Sequence, residues 1–464
     1  MSSKDAVDVQ SFIDHQPFSG FQWLIFVLCF LIVLLDGFDT AAIGYIAPSL
    51  IQEWGVTKPD LAPVLSAALF GLAGGALLSG PLSDRLGRRL VLNVSVLVFA
   101  LASMVSAFAS DLQSLTVLRF LTGIGLGAAM PNAVTLISEY SPSKRRALIT
   151  TAMFSGFPLG AAFGGFLAAW MIPHFGWRSV LVLGGVAPIV LVAVMLVWLP
   201  ESVRYMVAKG HSTERIRAVL GRISAAAAAL ASSFHLTETV SIADGKSGLG
   251  VVLSRSRVVG SVMLWLAYFM GLVIFYALIN WMPILFKDAG LDPKTATLIS
   301  ALFPLGGCAA VFVGWLMDRF NGNRIVAIAY ALTAVSVFAI GQMVGNVGAL
   351  VVVVFLAGTM MNAAQVSMPA LAASFYPTQG RATGVAWMLG IGRFGGIAGS
   401  FLVAELARRK LGFSEVFMIV AIPGLLATTA LIVKQFFHPE TAPEQGEAAE
   451  GGALYLKEQV QGAH

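Results

Sequence analysis

The chain has 464 residues, 57% of them hydrophobic and 11% charged, with a formal net charge of +5 and a mean hydropathy of +0.83. That apolar content exceeds what a water-soluble domain can hide, which argues against a soluble enzyme and makes lipid the natural solvent. The basic excess does not point to nucleic acid, because the Lys and Arg residues gather in particular loops, as membrane topology demands.

Apolar stretches of about twenty residues, enough to cross a hydrocarbon core of about 30 Å, recur along the chain. The predicted spans are 20–47, 59–80, 90–109, 112–138, 147–172, 177–199, 257–284, 294–316, 324–343, 348–373, 382–406 and 412–434. Barrel strands would not be apolar on every face, so all twelve are read as helices of an all-α integral membrane protein. The predicted organisation is an N-terminal tail (1–19), a six-helix half (20–200), a linker (201–256), a second six-helix half (257–438) and a polar tail (439–464) that reads as disordered. The first span is too long for a signal peptide and lacks a cleavage site, so it reads as a retained helix. Leaving aside Arg119 and Arg393, Lys and Arg fall 20 on the side of the termini, Lys434 at the end of the last span among them, and 7 on the other, which places both termini in the cytoplasm. Cys29 and Cys308 lie inside spans and read as small buried hydrophobes, not as a disulfide or metal ligands.

In the first span, Asp36 and Asp39 stand three residues apart and share a helix face. An ionised side chain at mid-bilayer costs at least about 2.5–3.5 kcal/mol on insertion scales, so each needs an explanation. Two crowded acids repel, and relief of that repulsion by a proton would make them a proton carrier. Pairing with Arg119, or capping a helix broken near Gly37, is the structural alternative. After the second span comes Gly80-x-x-x-Asp84-Arg85-x-Gly87-Arg88-Arg89, whose glycines permit a tight turn and whose Asp84 can pair with an arginine or a helix N-terminus. Its arginines either latch this face or simply anchor topology. In the fourth span, Arg119-x-x-x-Gly123-x-Gly125-x-Gly127 sets an arginine beside residues small enough for close helix contact. The fifth span carries a glycine run from Gly156 to Gly165, and Pro200-Glu201-Ser202-x-Arg204 closes the sixth.

The second half repeats the first. Gly80, Asp84 and Arg85 recur as Gly314, Asp318 and Arg319 at a shift of 234, while Pro142 and Arg146 recur as Pro377 and Arg381 at 235, where Pro48 also falls on Pro283. Six helices, a loop and six more with matching sidedness describe two parallel repeats. At 235, Asp36 falls on Gly271 and Asp39 on Ile274, so the acids are not fold requirements. Arg393, whose counterpart is Pro158, stands among Gly390, Gly392, Gly395 and Gly396. A fixed cation with room beside it suits an organic carboxylate, and an internal salt bridge to Asp36 or Asp39 is the competing reading. Phe275, Tyr276, Trp281 and Trp387 could stack on a ring-bearing substrate with Asn280 offering hydrogen bonds, or could simply pack.

The Gly80–Arg89 loop matches the signature between helices 2 and 3 of the major facilitator superfamily, and the helix 4 and helix 6 motifs resemble two others of that superfamily. Within it, Asp36-Gly-Phe-Asp39-Thr-Ala-Ala-Ile-Gly-Tyr-Ile-Ala-Pro48 resembles the aromatic acid:proton symporter family, a likeness that extends through Arg119–Gly127, Glu139-Tyr-x-Pro142 and Phe375–Gly395. Inside that family the chain looks most like bacterial 4-hydroxybenzoate and protocatechuate carriers.

The resemblance implies proton-coupled uptake of a small aromatic carboxylate across a bacterial inner membrane by alternating access, in a lipid-embedded monomer with no cofactor. It carries essential roles onto Asp36, Asp39, Gly80, Asp84, Arg85, Gly87 and Arg88, and Glu139 matches too. On this reading Asp36 and Asp39 handle the proton. Arg393, Arg119, Asn280, Tyr276 and Trp387 surround the substrate, and the loop residues with Glu139, Arg146, Asp318 and Arg381 latch the cytoplasmic face. The rivals are proton-driven efflux, which helix 5 weakens by lacking the Gly-Pro dipeptide of drug antiporters, and a receptor without transport.

Overall fold

The computed structural model describes residues 6–231, 233–236, 250, 252–309, 316, 319–376 and 378–438. Its spanning helices are α1 (Gly20–Trp54), α2 (Ala62–Leu86), α3 (Arg88–Ser106), α4 (Leu112–Glu139), α5 (Gly156–Phe175), α6 (Arg178–Trp198), α7 (Val258–Asp288), α8 (Pro293–Gly306), α9 (Gly322–Gln342), α10 (Val347–Phe375), α11 (Thr378–Arg408) and α12 (Phe413–Phe437). Eleven of these are long and apolar enough to cross a membrane by themselves. The twelfth, α8, gives way after Gly306 to a 3-10 turn over Gly307–Ala309, and residues 310–315 of its predicted span lie outside the described residues. In that turn Cys308 is exposed, against the sequence expectation, whereas Cys29 is buried.

Local chemistry sets the ends. Ser19 and Gln22 form a capping box at the start of α1, and Gly55 closes it in the left-handed region (φ 64°), which a side chain would strain. Asp111, Asn321 and Asn346 accept from the backbone N–H groups of Ser114, Arg324 and Ala349 at the starts of α4, α9 and α10. The fifth span, predicted as one helix, is two, Arg146–Phe154 and α5, meeting at Ser155. Pro158 explains the break, since it lacks the N–H that would close a turn on the Phe154 carbonyl. At about 1.5 Å per residue, the 35 residues of α1 run about 52 Å, well beyond the hydrocarbon core, which leaves Asp36 and Asp39 near the middle of the helix.

The two halves pack by the same scheme. α1 packs on α5, α2 on α4, α3 on both α4 and α6; in the second half α7 packs on α11, α8 on α10, and α9 on both α10 and α12. The glycines at these crossings obey the 235-residue shift. A Cβ at Gly123 would collide with the Ala68 carbonyl and one at Gly358 with that of Phe303; Gly160 abuts the Leu34 carbonyl as Gly395 abuts that of Phe269. Each pair and each target is separated by 235, so the repeat extends to backbone contacts. Across the halves, α1 meets α7, α2 meets α11 and α5 meets α8.

One end of the bundle carries the N-terminal tail and the linker. Strand β1 (Ala6–Asp8) pairs in parallel with β2 (Ser233–His235), and short helices cover Val9–Asp14, Val203–Ala208, Thr213–Gly221 and Ala225–Leu230. We call this end the linker face.

Candidate functional site

The four charges singled out from the sequence fall into a pair inside the first half, Asp39 with Arg119, and two that act on one another across the halves, Asp36 and Arg393. Arg119 of α4 donates from Nη1 to Asp39 Oδ1 (3.0 Å), and from Nη2 to Asp39 Oδ2 (2.8 Å) and the Asp39 carbonyl (3.2 Å). Ser103 of α3 adds a bond to Asp39 Oδ1 at 2.9 Å. Both ions are fully buried, so Asp39 is held by a two-pronged, charge-assisted contact inside the first half. Asp36, one turn earlier and also buried, accepts only from Thr40 (3.3 Å) and forms no ion pair among the described residues. The two acids therefore sit in different settings.

Arg393 of α11 faces Asp36 across the halves closely enough for their charges to act on one another. Its Nη1 is buried without a hydrogen-bond partner. The glycines around it have a definite use, because the rings of Tyr268 and Tyr276 on α7 occupy the places where side chains of Gly392 and Gly396 would be. Two phenol rings thus pack against the helix turn that carries the guanidinium. Tyr276 meets Phe275 edge-on at 5.3 Å, and Phe275 approaches Phe157 of α5 at 6.3 Å.

The other sequence candidates are more structural here. Trp281 is buried and donates to the Ser400 carbonyl (3.1 Å), and Trp387 stacks on Trp265 with centroids 5.9 Å apart. Asn280 donates to Ser400 Oγ (2.9 Å) and to the Leu65 carbonyl of α2 (3.4 Å), which ties its amide to the contact between halves. At the end away from the linker face this contact continues. Lys58 pairs with Asp288, Lys287 Nζ reaches the Pro48 carbonyl (3.4 Å), and Gly44 lies against Ile279 and Asn280.

On the linker face, Arg88 bridges Asp84 (3.2 Å) and Glu139 (3.8 Å), and Glu139 accepts a close bond from Ser202. Glu201, which the sequence reading quoted as part of a motif without giving it a role, accepts from the backbone N–H groups of Arg88 (2.9 Å) and Arg89 (3.1 Å) and so caps α3. Gly87 (φ 94°) makes room for it, since a Cβ there would strike the Glu201 carboxylate. The Arg85 carbonyl accepts from Tyr205 (3.0 Å), and Arg146 donates to Gln10 of the N-terminal tail (2.7 Å). Gly80 has open space beside it. Arg381 reaches the Tyr376 carbonyl (3.4 Å), while Asp318 lies outside the described residues. Lys434 of α12, which the sequence reading counted as a topology anchor, is buried and donates to Asn323 (3.2 Å).

With this geometry in place, comparison with known proteins defines the class. The profile of the Major Facilitator Superfamily matches residues 29–341 and 264–460, and the chain belongs to that superfamily. It is a membrane transporter with the twelve-helix fold of that group, not an enzyme. The 4-hydroxybenzoate transporter PcaK of Pseudomonas aeruginosa is 51% identical over 431 residues, 93% of this chain and 96% of that protein. The gallate transporter of Pseudomonas putida is 45% identical over 92% of this chain and 94% of its own length. Among solved structures, the partially occluded inward open form of the xylose transporter XylE from E. coli superposes with a TM-score of 0.70 at 19% identity, covering 91% of this chain and 99% of that one, which shows the shared fold.

Proposed function

We propose that this protein takes up a small aromatic carboxylate, such as 4-hydroxybenzoate or protocatechuate, across the bacterial inner membrane together with a proton, by alternating access. The linker face and both termini lie in the cytoplasm on this reading, as the distribution of Lys and Arg favours. Relatives named for 4-hydroxybenzoate and gallate support the substrate class. The observation that carries the reading is Arg393, a guanidinium with an unpartnered Nη1 on a helix turn against which two tyrosine rings pack, its charge acting on Asp36 across the halves. A carboxylate suits a guanidinium fork, and an aromatic ring suits aromatic neighbours.

The setting divides the work of the two acids. Asp39 is committed to Arg119 and Ser103. Asp36 has no such partner, and an anion arriving at Arg393 would repel it, a repulsion that a proton on Asp36 removes. One anion carried with one proton moves no net charge, so uptake would follow the pH gradient and be insensitive to voltage.

The test is accumulation of labelled 4-hydroxybenzoate by cells expressing wild type or Asp36→Asn, with and without a protonophore, with each protein quantified in the membrane. Accumulation that both the substitution and the protonophore abolish is the expected result. Accumulation that survives the protonophore removes proton coupling, and none by wild type removes the substrate.

A further inference from the structure

The repeat puts Gly271 of α7 where α1 carries Asp36. The space that a side chain at Gly271 would take is filled from α10 and α9, because an added Cβ would meet Gln365 Oε1 and lie 2.6 Å from Tyr330 Oη. Tyr330 is fully buried and donates to Gln365 Oε1 (2.9 Å), which fixes the amide. The amide is only half-buried; its Nε2 makes a long bond to the Tyr268 carbonyl (3.5 Å), and the side chain also hydrogen-bonds with the Tyr268 hydroxyl. The Tyr268 ring rests on Gly392, next to Arg393. Where the first half has an acid, the second thus has a neutral, oriented amide, one aromatic residue away from the cation.

From this arrangement we infer that Gln365, held by Tyr330, is the subsite that reads a hydroxyl on the substrate ring while the carboxylate lies on Arg393. The inference rests on the functional reading above and deepens it. The amide has two N–H groups and a second carbonyl lone pair, so by exchanging its contact with the Tyr268 hydroxyl for the substrate it can both donate to and accept from a phenol. It carries no charge, so it competes poorly with the guanidinium for the carboxylate, which sets the orientation of the substrate. An analogue lacking the hydroxyl would leave the amide unpaired in a closed site, and such a loss discriminates more strongly than a change in apolar contact.

The test is the affinity of the purified, full-length protein for 4-hydroxybenzoate and for benzoate, measured by calorimetry for wild type, Gln365→Met and Tyr330→Phe. Wild type is expected to prefer 4-hydroxybenzoate by about tenfold or more, the range of one hydrogen bond made in a buried site. Gln365→Met should bring the two affinities within about twofold by weakening the hydroxylated acid alone, which also shows that the variant is folded. Should Gln365→Met fail to fold, Tyr330→Phe removes only the hydroxyl that orients the amide and should lose part of the preference. A wild-type ratio in the folded variants, or a wild type that binds both acids equally, overturns the subsite alone. A wild type that binds neither acid removes the functional reading and the subsite with it.

Discussion

A carboxylate and a guanidinium shut away from water, as Asp39 and Arg119 are, depend on one another, because removing either strands the other as a buried charge at about 3–5 kcal/mol. Arg119→Leu is therefore expected to lower the thermal unfolding temperature in detergent markedly, and Asp39→Asn combined with it to recover much of the loss. Equal destabilisation by the single and double variants would show that the pair is not the source. Both residues were legible in the sequence, since an ion inside an apolar span stands out. Pairing with Arg119 stood as one alternative for either acid; that Asp39 takes it and Asp36 does not depends on how α1 and α4 cross, and Ser103, an ordinary small residue in an apolar run, gave no signal at all. Lys434 was misread for the opposite reason, as a cation at the end of a span looks like a topology anchor.

Helix crossings show what one missing atom does. Gly123 and Gly358 each press against a carbonyl of the neighbouring helix, α2 in one half and α8 in the other. Gly123→Ala and Gly358→Ala should each destabilise the fold by about 1–3 kcal/mol or more through forced separation of those helices. Gly80→Ala, where an added Cβ meets nothing within 4 Å, should unfold at the wild-type temperature. Thermal unfolding of the three variants settles this, and an unchanged Gly358→Ala would refute the symmetry of the contacts. The sequence revealed the repeat through loop residues and prolines. It could not reveal the glycine register, since 48 glycines make any spacing common. The same holds for Glu201, whose motif was visible but whose place at the start of α3 depends on how the chain closes around Gly87.

Over the whole molecule, the halves touch at the end away from the linker face through Lys58–Asp288, Lys287–Pro48 and Asn280–Leu65. The proposed alternating access would require these contacts to part in each cycle, and the exposed Lys58–Asp288 pair is light enough to do so, being worth about 1 kcal/mol at most. Lys58→Ala or Asp288→Ala should favour opening at this end and lower the KM for uptake, by no more than about fivefold. Exchanging the two charges should restore the wild-type value. Single variants with unchanged KM would exclude the pair from gating.

Asp36 and Arg393 at the junction of the halves, with the Asp39–Arg119 pair next to Asp36 in the first half, make two acids and two guanidiniums, so with all four ionised the empty centre sums to zero. Under the proposed symport, an anion with its proton returns the sum to zero, whereas an anion alone leaves an uncompensated charge in a low-dielectric interior. Electrical parity then acts as a checkpoint. The carrier can rock when empty or fully loaded and is held back when half loaded, which ties the substrate to its proton without any separate coupling device.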